Sequence, residues 1–121
     1  MDLQIYIDNS SHSDIVLEDI SDSVFSALSE WIGAKERHAQ LLDKKQENEP
    51  ASWKLGMSLK VKSKYKLKDP LTFLYSLAQE HKCEFVIAEY DANSDSAEDV
   101  CFFGFEEGRP DLHEIANYLG L

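Results

Sequence analysis

At 121 residues, 43% hydrophobic and 11% aromatic, the chain has the length of one domain and enough apolar material for one core, which argues against disorder despite a net charge of −11. Its 23 acids against 12 bases oppose direct nucleic-acid binding, and two cysteines are too few for a disulfide framework. No apolar run approaches the roughly 20 residues that span a bilayer, and Met1-Asp2-Leu3-Gln4 lacks the basic and apolar regions of a secretory signal. The expected setting is therefore cytoplasmic and away from membranes, with Cys83 and Cys101 as free buried thiols.

Leu3, Ile5 and Ile7 alternate with polar or amphipathic neighbours, the period of a strand, which ends at the turn-rich Asp8-Asn9-Ser10-Ser11. Ser21 then stands before Val24, Phe25, Leu28, Trp31 and Ile32, a helical stripe with Gly33 as its stop. Residues 34–50 are rich in Lys, Glu, Gln and Asn and carry only a thin apolar stripe. This segment is expected to be a solvated helix or a mobile connection.

From Trp53 to Leu67 the odd positions are mostly apolar, while the even ones carry lysines through Lys68, so an extended strand with odd side chains inward is predicted. Fifteen residues at about 3.3 Å each would reach about 50 Å, too long for so small a domain. A bend at Gly56 or Ser63 is therefore required. Asp69-Pro70 reads as the cap and first position of a helix to about Lys82, with Leu71, Leu74, Leu77 and Ala78 as its buried face.

Phe85–Ala88 and the run Cys101, Phe102, Phe103 and Phe105 read as strands joined by a hairpin loop from Asp91 to Asp99. Gly108-Arg109-Pro110-Asp111 introduces a last helix with Leu112, Ile115, Ala116 and Leu119 on one face and Gly120 as its stop. These elements make a single α+β domain, in which about three helices cover one mixed or mainly antiparallel sheet.

Motifs for chemistry are thin. Asp91-Ala92-Asn93-Ser94-Asp95-Ser96 matches the first half of an EF-hand loop, but Ser96 stands where the turn needs glycine and Phe102 where calcium needs a bidentate glutamate. His81 and Cys83 have no second ligand pair at zinc spacing, and His12, His38 and His113 are scattered. Gly56-Met57-Ser58-Leu59-Lys60 lacks the second glycine of a nucleophile elbow, and no glycine-rich phosphate loop is present. Neither catalytic residues nor a cofactor or metal are expected.

The charge, by contrast, is segregated. Lys54, Lys60, Lys62, Lys64, Lys66 and Lys68 occupy a stretch without acids, leaving six basic against 23 acidic residues elsewhere. A field of this kind steers basic partners. The expected contact residues are Glu89, Asp91, Asp95, Glu98 and Asp99 of the hairpin with Tyr90 as an aromatic anchor, joined by a smaller share from Asp14, Glu18, Asp19 and Asp22. Trp53 is a further anchor if it is exposed. The lysine row is read as protection of a sheet edge or as pairing with the surrounding acids.

The C-terminal run Cys101-Phe-Phe-Gly-Phe-Glu-Glu-Gly-Arg-Pro-Asp-Leu-His-Glu-Ile-Ala-Asn-Tyr-Leu-Gly-Leu121 resembles the ending of small bacterial immunity proteins that accompany polymorphic and contact-dependent growth inhibition toxins. The resemblance implies a non-catalytic protein that neutralises one cognate toxin domain, often a basic nuclease. It carries over no binding residue. An intracellular adaptor for another basic protein or peptide, and a small enzyme, are the alternative readings.

Overall fold

The computed structural model describes residues 1–8, 17–34, 39–46 and 49–121, without the side chains of 17–18, 45–46 and 49–53. Along the chain run β1 (Asp2–Ile7), α1 (Leu17–Ala34), β2 (Ala39–Gln46), β3 (Glu49–Lys60), a 3-10 turn (Lys64–Leu67), α2 (Lys68–His81), β4 (Glu84–Asp91), β5 (Ser96–Gly104) and α3 (Leu112–Leu119). The five strands form one antiparallel sheet in the order β2-β3-β1-β4-β5. With its three helices this is a single small α+β domain.

Strand alternation divides the sheet into two unlike faces. Leu3, Ile5 and Ile7 pair across β1 with Leu59 and Met57 on one side and with Ile87 and Phe85 on the other, and they bury toward the helices. Val24 and Leu28 of α1, Leu71, Leu74, Leu77 and Ala78 of α2, and Ile115 and Leu119 of α3 close this inner layer. Trp31 of α1 stacks on Phe73 of α2 with centroids 4.7 Å apart, tying the two larger helices together.

The segment expected to be a solvated helix or mobile connection holds β2 instead. Ala39, Leu41 and Asp43 lie opposite Leu59, Met57 and Leu55. Its apolar residues are too few for a helical stripe, but an edge strand shares one long flank with its neighbour and needs few of its own. The predicted long strand ends at Lys60, and the break falls at Lys62 and Ser63, where the chain bends into the 3-10 turn. Odd side chains are inward through Val61, but Tyr65 is 74% exposed because the extended period has already stopped.

Gly56, the other proposed bend, stays in the ladder opposite Tyr6. A Cβ here would collide with the Ile5 carbonyl oxygen and lie 2.6 Å from the Tyr6 Cα, so glycine permits a close approach of β3 to β1. The predicted α1 extends further than expected, from Leu17 through Gly33 to Ala34. Its stripe is centred on Val24 and Leu28, which leaves Phe25 42% exposed. In α2, Asp69 stands in the first turn and does not cap, because the 3-10 turn runs directly into the helix at Leu67. The left-handed Lys82 closes it, as the sequence placed its end.

The hairpin is the main correction near the predicted contact residues. Its turn is Ala92–Asp95 alone, while Glu89, Tyr90, Asp91, Glu98 and Asp99 belong to paired strands. A bulge after Ile87 absorbs one residue of β5 and shifts the pairing that follows. At the end of β5, Gly104 has φ +151, and a side chain there would press on the Glu84 Cα at 2.7 Å. The Glu84 carboxylate accepts from the backbone N–H groups of Glu106 and Glu107, at 3.0 Å and 2.8 Å to Oε1, and so holds the return toward α3. Asp111 caps α3 by accepting from the N–H groups of His113 and Glu114 at 3.0 and 3.1 Å. The Gly120 stop and the buried Ile115, Ala116 and Leu119 of that helix are those predicted, while Leu112 is half-buried.

Candidate functional site

The face of the sheet turned away from the helices is polar and partly organised. Along β1 it carries Asp2, Gln4 and Tyr6; β3 adds Lys54, Gly56, Ser58 and Lys60; β4 adds Val86, Ala88 and Tyr90. On β2 the same face presents Gln40, Leu42 and Lys44, paired with Ser58, Gly56 and Lys54. These positions alternate strictly with the core residues, so the pattern that buries Leu3, Ile5 and Ile7 also brings Gln4 and Tyr6 out on the opposite side.

Two parallel side-chain chains cross this outer face. Lys54 places its Nζ 5.0 Å from the centre of the Tyr6 ring, and the Tyr6 hydroxyl donates to Asp99 Oδ1 at 2.8 Å. Lys44 places its Nζ 5.9 Å from the Tyr90 ring, and the Tyr90 hydroxyl donates to Asp95 Oδ1. Each tyrosine thus joins a lysine from the β2–β3 side to an acid of the hairpin, combining a cation over an aromatic face with a charge-assisted hydrogen bond. Burial, then the bond to Asp99, pushes the Tyr6 hydroxyl pKa well above its ordinary 10.0. The bond to Asp95 raises that of Tyr90.

The hairpin acids therefore separate into two groups. Asp91 accepts from the backbone N–H of Asn93 at 2.9 Å and shapes the turn, while Asp95 and Asp99 receive the tyrosine hydroxyls. Glu89 and Glu98 stand directly opposite one another in the ladder, and both are exposed. Among the described residues neither has a cation within ion-pair distance. Like charges directly opposed on a sheet destabilise it, so this pair does not serve the fold.

Glu89, Tyr90, Asp91, Asp95, Glu98 and Asp99 thus lie on one hairpin, as the sequence grouped them, but on two faces of it: Glu89 and Glu98 share the side of Leu3, while Tyr90 and Asp99 share that of Tyr6. Asp19 and Asp22 are exposed on α1, which packs over β2 and β3 at the other side of the sheet. The structure does not gather them with the hairpin. Asp14, His12 and His38 lie outside the described residues, as do the side chains of Glu18 and Trp53. Sequence reasoning missed Gln4, Tyr6 and Lys44. The available signal was that Gln4 and Tyr6 are the even positions of an otherwise apolar strand.

The outer face also holds a trough of about 380 Å³ bordered by Asp2, Gln4, Gln40, Lys44, Ser58, Lys60 and Tyr90. Two larger clefts lie elsewhere. One of about 580 Å³ runs beside α2, where the Arg109 guanidinium lies 5.6 Å from the Tyr75 ring centre; the other, of about 590 Å³, is lined by Trp31, Val61, Lys62 and Lys66. Among the described residues no group of three His, Cys, Asp or Glu converges as a metal site.

Both thiols are free, and burial pushes Cys83 up to about 12 and Cys101 up to about 11, with Glu84 and Glu114 respectively adding to the rise. Neither has the lowered pKa of a reactive cysteine. No described helix is long and apolar enough to cross a membrane. No protein-family model, curated protein or solved structure matches this chain.

Proposed function

We propose that this chain is a non-catalytic binding domain whose hairpin engages a basic protein, and that the partner is a toxin domain which it neutralises in the cytoplasm. The observation that carries the binding role is the exposed Glu89–Glu98 pair. It costs the sheet stability and has no ion-pair partner among the described residues, so a ligand that supplies cations gives it a use. Asp95 and Asp99, held by Tyr90 and Tyr6 on the opposite face of the same hairpin, add fixed negative charge to it. A basic nuclease meets this description, because a surface that binds phosphates through Lys and Arg is complementary to an acidic hairpin. The resemblance of residues 101–121 to immunity proteins supports the toxin assignment.

The test uses the whole chain immobilised as bait in parallel with the Glu89→Gln/Glu98→Gln variant, which disturbs none of the hairpin's internal hydrogen bonds. A basic protein retained by the first and lost from the second, with an on-rate that falls as salt rises, is the expected result. Expression of the captured protein should then arrest growth unless the chain is co-expressed. Equal retention by both baits, with the same salt dependence, would remove the hairpin from the interface. A captured partner that is harmless when expressed would instead favour an adaptor.

A further inference from the structure

Gln4 is 5% exposed, and its Oε1 is buried without a hydrogen-bond partner among the described residues. A buried polar atom left in this state destabilises the fold, and the residue stands at the trough that Asp2, Ser58 and Lys60 also border. Its carboxamide carries both an acceptor and donors.

The charges around it are also left open. Asp2 and Lys60 are directly opposed in the β1–β3 ladder, a placement in which opposite charges ordinarily join. Among the described residues no ion pair joins them. Lys44 reaches from β2 toward Tyr90 on β4, with its Nζ 5.9 Å from the ring centre, and both border the trough together with Gln4 and Ser58.

We infer that this trough binds an α-carboxylate that carries an N–H donor on the same carbon, as in a free amino acid or the C-terminal residue of a peptide. A ligand with a carboxylate alone would leave Asp2 unmet. One that adds an N–H donor meets both, with its carboxylate toward Lys60 and Lys44 and its N–H group toward Asp2 and the Gln4 carbonyl. The volume of about 380 Å³ suits so small a ligand. This inference stands on the β1–β3 floor and does not depend on the acidic hairpin.

The test is titration of the isotope-labelled chain, followed by amide and Gln side-chain NMR signals. One arm uses the standard L-amino acids and the other N-acetyl-trialanine with its free carboxylate. Saturating shifts at Gln4, Ser58 and Lys60 are expected in one or both arms at a dissociation constant of about 1 mM or tighter, and the responding arm identifies the source. The corresponding C-terminal amides should not bind.

Gln4→Leu and Lys60→Gln should each weaken binding by at least about tenfold. The exposed Lys60 position provides the comparison should Gln4→Leu fail to fold. No saturation in either arm, equal binding of the amides, or unchanged affinity in the folded variants would overturn the site. So would a crystal soaked with the probe that shows only ordered water on Gln4.

Discussion

The two faces of the sheet follow the same alternation to opposite ends. On the inner face every strand contributes aliphatic or aromatic residues to one cluster, and substitution there is expected to act on stability. On the outer face the same strands offer Gln4, Tyr6, Lys54, Ser58, Lys60 and Tyr90, whose interactions are polar and which leave a buried oxygen and an opposed charge pair unmet. Residues that satisfy each other completely build a core; residues that leave one another unsatisfied mark where a partner is missing.

The largest effect that would break this contrast is at the inner face. Phe103→Ala, which empties the stack on Phe85 at 5.5 Å, should cost about 3–5 kcal/mol in chemical denaturation. Leu59→Lys should prevent folding, whereas Lys60→Glu, one residue away on the opposite face, should melt close to the native chain. Equal tolerance at 59 and 60 would show that the faces are misassigned. Next in size is Gly56→Ala, whose methyl meets backbone of β1 that cannot swing aside, at an expected cost of at least about 2 kcal/mol. A variant as stable as the native chain would mean that β3 and β1 do not approach so closely.

Alkaline pH sharpens the comparison at intermediate scale. The folded state raises Cys83 from 9.0 to about 12, Cys101 from 9.0 to about 11, and Tyr6 above 10.0. A raised folded pKa means that the native state holds its proton more firmly than the unfolded chain. The stabilising contribution is therefore complete below the unfolded value and is lost as pH rises toward the folded one. Denaturation midpoints should be flat near pH 7 to 8 and fall above about 9, by no more than about 1.4 kcal/mol per pH unit for each titrating group. Cys83→Ala should flatten part of that slope, and Tyr6→Phe should flatten the part above about 10.

The smallest effect has the opposite sign. Glu98→Lys converts the opposed Glu89–Glu98 pair into an attractive one and should stabilise the domain by about 0.2–1 kcal/mol, read as a higher midpoint, while weakening capture of a basic partner. A drop in stability would mean that Glu98 has an internal role that its geometry does not show.

The core stripes of β1, α2 and α3 were legible in the sequence because each depends on neighbours within a few positions. The stop of α3 at Gly120 was legible for the same reason. The charge grouping of Glu89, Asp91, Asp95, Glu98 and Asp99 was equally plain, although their division was not. Which acids are occupied depends on partners such as Tyr6, which lies 93 positions from the Asp99 it binds.

The sequence alone thus determined the fold class, most of the inward set of side chains and the segregation of charge, since periodicity and composition are local properties of the chain. Tertiary structure decided that residues 39–46 form an edge strand, that the lysine row divides among a strand, a bend, a 3-10 turn and a helix, and that Gln4 lies sealed beside a trough between Lys60 and Tyr90. Those outcomes rest on which strands pair and in what register. Pairing joins residues far apart in sequence, and no local pattern records it.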